Sequence, residues 1–507
     1  MENSRSKNAV LNIVVGWGSQ IGILLLSFIS RRIFIQFLSA DYLGINGLYS
    51  NILSVLALAE LGLGNVTQFF LYKPVAENDH KTINSLVNYF RKLYMMIAMV
   101  VLTIGLLLIP LLKYIVNSNL NHKELIIYYI LFLLNSCVTY FAADKTALLA
   151  ANQDVRLTKY VNLGVSVALQ VLHIIVLVIW HNYMLYVSAT LLSSVVNVGI
   201  TNCLCYRKYP YLKQKVTEKN SIDKNYIISN LKATFVYKIG ATIINNTDNI
   251  LISVIVSTAA VGLYSNYLMV VNGIQAFLSV VTNSLISGVG NLSANGDKKR
   301  MISIFDDMVF FYHFIAAFGS VSFYLLFNEF ISIWLGVDYL LDQRTVFAIS
   351  LSFYLTNAIS PVWMFRESNG LFDKVKYLLL STAALNIIFS IILGKIYGVF
   401  GILLATSIAR ILTQVVYEPQ ILFKYIFGTS SKHYWCKQFK YLFLAMLSAA
   451  ICYGMTSQIP QGFIFIVIKA VFYFVIFAIF FLGGCRTSHE VGELSVFFYK
   501  IFRKNRL

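Results

Sequence analysis

Long apolar runs, and not a two- or four-residue alternation, organise this chain. Cutting it at polar breaks leaves fourteen segments, approximately 10–36, 44–71, 93–112, 125–150, 160–180, 184–206, 233–255, 263–290, 303–327, 346–365, 377–394, 399–423, 441–457 and 463–483. Each is close to the roughly 20 residues that cross a bilayer as a helix. In lipid only a helix or a closed barrel satisfies its own backbone groups. The pattern therefore predicts an all-α integral membrane protein of about fourteen transmembrane helices. The longest outward connection, Asn328 to Thr345, leaves no room for an external catalytic domain, and the longest inward one, Arg207 to Lys232, reads as a linker between two six-span halves.

A shift of 218 residues superposes 12–85 on 230–303 without gaps. Eleven identities result, among them Gly44/Gly262, each opening a span, together with Asn65/Asn283, Asp79/Asp297 and Lys81/Lys299. Six spans separate the copies, so both run the same way, which implies a parallel duplication about an axis along the membrane normal. The predicted organisation is a first lobe at 1–206, a cytoplasmic linker at 207–232, a second lobe at 233–427, and two additional spans with a basic tail at 428–507. Two such lobes around a central cavity form a transporter plan.

Composition adds sidedness. Charged residues make up 12% of the chain, against about 25% in soluble proteins. The net charge of +18 would suggest nucleic acid in a soluble chain, but its distribution argues otherwise. With the N-terminus inside, inward segments hold 29 Lys and Arg and outward loops hold four, Lys113, Lys123, Arg344 and Lys395. This is the positive-inside bias of a membrane protein with both termini cytoplasmic, and it excludes nucleic acid as the partner. The six cysteines fall outside the outward loops, so no disulfide framework is expected.

Candidate chemistry lies in the polar residues within spans, since an ionised side chain at the bilayer centre costs at least ~2.5 kcal/mol. In span seven, Lys238, Thr242, Asn245 and Asn249 recur on one helical face, with Asp248 beside them. The repeat maps that face onto Gln20, Ser27 and Arg31 of span one, with Arg32 turned 100° away. Span six offers Thr190, Ser194, Asn197 and Thr201, a stripe that equally fits helix-to-helix hydrogen bonding. Arg410, halfway through span twelve, is the deepest cation. Glu60, Asp144 and Lys145 are further candidates; Lys145 reads as a cavity cation or as a side chain reaching the headgroups, and Lys469 as the latter. His173 and His313 read as packed residues. Seven intramembrane cations, Arg31, Arg32, Lys145, Lys232, Lys238, Arg410 and Lys469, outnumber the acids Glu60, Asp144, Asp248 and Glu418. A net-cationic interior predicts an anionic substrate, and guanidinium plus ammonium suits a diphosphate. No nucleotide-binding loop, HExxH or metal-spaced cluster occurs, which argues against an enzyme and against a bound cofactor or metal.

The stretch Arg31-Arg32-Ile-Phe-Ile-Gln-Phe-Leu-Ser-Ala-Asp-Tyr-Leu-Gly-Ile-Asn-Gly-Leu-Tyr, with Leu58-Ala-Glu-Leu-Gly-Leu-Gly and Leu71-Tyr-Lys-Pro-Val-Ala-Glu-Asn-Asp, resembles the Wzx-type polysaccharide flippases of the MOP exporter superfamily. Lys238-Ile-Gly, Thr247-Asp-Asn-Ile-Leu-Ile-Ser and residues 143–153 carry the same resemblance. It implies alternating access in a bacterial cytoplasmic membrane. The implied substrate is an undecaprenyl-diphosphate-linked oligosaccharide, moved outward for capsule, O-antigen or exopolysaccharide assembly, with a polysaccharide polymerase and other assembly proteins as further partners. It assigns the cavity-cation role to Arg31 and Lys238, with Asp248 in its motif; Arg32, Asn249, Arg410, Glu60 and Lys145 complete the candidate substrate-binding set. The driving force stays open between a proton gradient, a sodium gradient and the membrane potential. Two other readings are a MATE-like drug exporter, which needs an acidic cavity for cationic drugs, and a membrane polymerase or glycosyltransferase, which needs larger outward loops.

Overall fold

The computed structural model describes residues 2–60, 63–152, 154–214, 224–294, 298–456 and 459–484, all of them in helices, turns and short connections. Nine stretches among these are long and apolar enough to cross a membrane. The longest, Lys374–Phe427, has 54 residues and is two crossings. Gly398 breaks it with φ 61° and ψ −137°, a conformation open only to glycine. The rods in chain order are α1 (Glu2–Phe37), α2 (40–60 and 63–76), α3 (His80–Ile115), α4 (His122–Ala151), α5 (Val155–Trp180), α6 (Tyr183–Lys208) and α7 (Lys224–Ile255). They continue as α8 (Thr258–Ala294), α9 (Lys298–Trp334), α10 (Gln343–Ser368), α11 (372–397), α12 (399–427), α13 (Lys432–Thr456) and α14 (Phe463–Gly484). The multi-pass all-helical architecture is the one the apolar runs predict.

Helix starts are written in side chains. Asp79 accepts from the Thr82 amide at 3.1 Å to open α3, Asn182 from Leu185 at 3.1 Å to open α6, and Asp342 from Thr345 at 3.2 Å to open α10. These caps lie outside the apolar runs, so the helices are longer than the runs themselves.

Two compact units divide within α8, Met1–Ser265 and Asn266–Leu507. The first therefore contains α7 and the opening turns of α8, whereas the division at 206 and 233 follows the repeat. Its core is aromatic: Tyr49, Phe90, Tyr94 and Tyr129 are fully buried, and the hydroxyls of Tyr49 and Tyr129 donate to the carbonyls of Leu125 and Gly105, both at 3.0 Å. The second unit centres on Phe305, Phe365, Phe423, Phe427 and Tyr434. Its last two helices are fastened to α9 at three levels. Lys437 pairs with Asp306 at 2.9 Å, Gln438 with His313 at 2.6 Å, and Lys469 with Glu329 at 2.7 Å.

Segments that the charge bias assigns to one face lie together. Asn84 donates to the carbonyls of Tyr211 and Gln214, His80 stacks on Tyr211, and Lys208 pairs with Asp154 at 2.6 Å, joining three inward segments. Asn117 and Ser118, from the connection after α3, donate to the Val256 carbonyl at the end of α7 and to Asp41 at the start of α2.

Candidate functional site

The repeat becomes geometry where the starts of α2 and α8 meet the end of α7. A Cβ added at Gly44 would stand 1.8 Å from the Thr258 carbonyl oxygen, and one added at Gly262 would stand 2.2 Å from that of Ala40. The shift of 218 equates Gly44 with Gly262 and Ala40 with Thr258, so the contact is reciprocal. Two equivalent helix starts cross backbone to backbone, with glycine where each touches the other. The seam continues sideways: the Thr258 amide donates to Asn117 at 2.9 Å, and the hydroxyl of Ser253 donates to Ile115 at 2.8 Å.

Just below this crossing sits Arg31. It lies six residues before the end of α1, about 9 Å at 1.5 Å per residue, and is half-buried. Its Nη1 donates to Ser265 Oγ at 3.1 Å, and the phenol of Tyr186 lies close by. Among the described residues no carboxylate pairs with it. Arg32 is exposed. Ser27, one turn deeper, accepts from Gln170 of α5 at 3.1 Å.

The span-seven stripe resolves unevenly. Lys238 lies in α7, but its side chain and that of Lys232 fall outside the described residues. Asn245 is exposed, Asp248 half-buried and Asn249 buried, its Oδ1 lacking a hydrogen-bond partner among the described residues. Glu60 closes a 3₁₀ turn in α2, where the Tyr140 hydroxyl hydrogen-bonds to it.

Three charges are held locally. Lys145 does not reach the headgroups: it is 3% exposed, 3.2 Å from the neighbouring Asp144 carboxylate and stacked over Tyr206. Arg91 shares that carboxylate at 3.2 Å and donates to Tyr206 at 2.6 Å. Lys469 does not reach the headgroups either. It is 5% exposed and paired with Glu329, whose other oxygen accepts from the Gly462 amide at 3.2 Å. Glu418 is buried against Arg366 at 2.8 Å. Arg91, Glu329 and Arg366 were all missed as intramembrane partners because they stand just beyond the ends of apolar runs.

Arg410, in α12, donates from Nη1 to Thr356 Oγ1 of α10 at 2.6 Å. A π-helical turn, Ile411–Val415, follows it immediately. Pro419 explains its place, since a proline cannot donate to the carbonyl four residues back, that of Val415. His313 is buried between the Val309 carbonyl and Gln438, and His173 stacks on Tyr186, so both are packed residues. No cluster of three metal-binding side chains occurs among the described residues.

No protein-family profile matches the sequence, and no curated protein matches it. Solved structures do match the fold. Lipid II flippase MurJ, in an inward closed conformation, aligns with a TM-score of 0.65 at 14% identity, covering 92% of this chain and 99% of that one. An inward-facing MATE-family multidrug resistance transporter of the MOP superfamily gives 0.64 at 15%, covering 82% and 99%. A MOP-superfamily transporter from Pyrococcus furiosus, for which reversed polarity of the binding pocket suggests a different function, gives 0.58 at 14%, covering 82% and 96%. The fold of this chain is thus that of the transporters of the MOP superfamily.

Proposed function

We propose that the protein is a Wzx-type flippase, which moves undecaprenyl-diphosphate-linked oligosaccharides from the cytoplasmic to the outer leaflet by alternating access. One observation carries the reading: Arg31 is a half-buried cation inside a span with neutral neighbours, whereas Lys145 and Lys469 are locally neutralised. A cation left without a counter-charge in a membrane helix costs a few kcal/mol and is retained for what it binds. Its planar fork matches phosphate oxygens bidentately. The fold shared with a lipid II flippase supports the same direction.

The energetics are compatible with export. A diphosphate of roughly two negative charges gains about 2.3 kcal/mol per charge per 100 mV on moving outward across an inside-negative membrane. The remaining barrier is desolvation of the head group, which Arg31, Lys238 and Arg410 lower by charge-assisted hydrogen bonds in place of water. Arg32, Asp248, Asn249 and Glu60 complete the proposed cavity set, with Lys145, already paired with Asp144, supporting its wall and not meeting the diphosphate. In this reading 1–206 and 233–427 form the two lobes joined by a linker at 207–232, both termini are cytoplasmic, and the Gly44–Gly262 crossing is the outer closure.

The experiment is translocation of lipid-linked oligosaccharide in proteoliposomes. Arg31→Ala is expected to lose more than tenfold in rate with insertion intact, and Arg31→Lys to retain part of it. Wild-type rates in Arg31→Ala, or transport of cationic drugs in place of the anionic lipid, refute the proposal.

A further inference from the structure

The span-six stripe finds a use that hydrogen bonding between helices does not exhaust. Within the first unit, α4, α5 and α6 line a half-open pocket of about 340 Å³. Most of its lining residues carry a hydroxyl or carboxamide, including Asn162 and Ser166 of α5 and Ser193, Ser194, Asn197 and Thr201 of α6, and about half of its wall is apolar. Among the described residues no charged side chain lines it. Asn197 lies fourteen residues into α6, about 21 Å from its outer start, so the cavity occupies the inner half of the span. That volume is within the roughly 300–1,000 Å³ of small-molecule sites.

Polar side chains that serve only to bind helices together spend their hydrogen bonds on one another or on the backbone. One pair here does so: Asn197 donates to Asn162 at 2.9 Å, with Thr201 on the Asn197 oxygen at 3.4 Å. Thr146 likewise bonds back to Ala142. Ser166, Ser193 and Ser194 do not, and among the described residues their hydroxyls make no hydrogen bond. Three open hydroxyls beside a carboxamide pair, at membrane depth, require a polar occupant, since hydrocarbon would leave them unsatisfied. The occupant's chemistry follows from the wall. The absence of cations disfavours phosphate, and the absence of carboxylates disfavours a metal ion or an amine. Groups that both donate and accept, at close spacing, match a neutral polyhydroxylated ring.

We propose that this cavity binds an uncharged sugar residue of the glycan, separate from the cations that hold the diphosphate. The inference rests on the flippase reading and adds to it a place where the sugar is recognised. It makes Ser193, Ser194 and Asn197 determinants of which glycan is carried.

The test uses the full chain in nanodiscs and two probes, undecaprenyl diphosphate and the undecaprenyl-diphosphate-linked oligosaccharide fraction extracted from the host membrane. Ser193→Ala/Ser194→Ala and, separately, Asn197→Ala are expected to weaken the glycan-bearing lipid by about tenfold, as loss of one or two neutral hydrogen bonds predicts. Binding of undecaprenyl diphosphate is expected to stay within twofold. The serine pair keeps the result readable should Asn197→Ala fail to fold. The proposal is overturned if both probes weaken alike, if neither does, or if the only change is in sodium or proton dependence. It is also overturned if the wild-type protein binds the two probes equally. Unaltered glycan selectivity in the serine variant leaves the flippase reading standing. A wild-type protein that binds neither probe removes both.

Discussion

Replacing Gly262 by alanine tests the reciprocal crossing directly. The new Cβ would lie 2.2 Å from the Ala40 carbonyl oxygen and 3.0 Å from the Gly44 nitrogen, where ordinary contact begins at 3.4 Å. The shortfall is about 1.2 Å, and the obstructing atoms are backbone, so no rotamer change relieves it. Overpacking of this kind costs about 1–3 kcal/mol, which lowers the population of the closed crossing roughly 5- to 150-fold. The gain of up to ~1 kcal/mol in helix propensity from Gly to Ala is common to closed and open arrangements and drops out of their ratio. Thr258, fully buried in the seam at 0% exposure, provides the reporter. In a background without other cysteines, Thr258→Cys reacts with an impermeant thiol reagent only while the seam is open, so its labelling rate follows the open population. Adding Gly262→Ala is expected to raise that rate at least fivefold from the outer side, and Gly44→Ala, with its contact at 1.8 Å, to raise it further. An unchanged labelling rate in well-folded protein would refute the claim that these glycines hold the two helix starts together.

Lys469→Ala is expected to destabilise the protein by about 3–5 kcal/mol, because it strands Glu329 in a dry site; the double variant Lys469→Met/Glu329→Gln recovers most of the loss, read as the melting temperature in detergent. Burial alone would raise the carboxyl of Asp154, but hydrogen bonds from Lys208 and Tyr209 outweigh it and hold the group below its ordinary value. That stability is present above about pH 3.9, is lost as pH falls through the lowered folded value, and should vanish in Asp154→Asn, as parallel acid-unfolding curves will show. Arg410→Ala is expected to lose translocation while inserting normally, with Arg410→Lys between it and the parent; a lysine variant as inactive as alanine assigns the role to the planar fork, and an alanine variant at the parent rate refutes it.

Helix count and type were legible because hydropathy reports what lipid demands of each span. The Gly44–Gly262 relation was legible as a repeat, though nothing in one sequence says that the two glycines touch. Partners of buried charges were not legible. Hydropathy marks where the apolar stretch ends, and a helix carries on past that point. The third run begins at 93 while α3 begins at His80, which places Arg91 inside a helix and within reach of Asp144. Glu329 stands two residues past the ninth run and turns inward to Lys469. The Asp79-x-x-Thr82 cap was the available signal for the first case. For the second there was none, since which of two turns of α9 faces α14 is decided by packing.

The wide turn after Arg410 has a consequence for register. A π turn holds one residue more than the α-helix around it, which swings everything downstream by about 100°. Arg410 meets Thr356 above the turn, and Glu418 meets Arg366 below it. Both belong to α12, yet they are aimed independently, with the turn acting as an adjustable joint between two faces of one rod. Deleting a single residue from 411–415 would restore plain α geometry, leave Arg410 where it is, and rotate Glu418 off its arginine. A one-residue deletion there is therefore predicted to be more damaging than any single side-chain truncation within the turn.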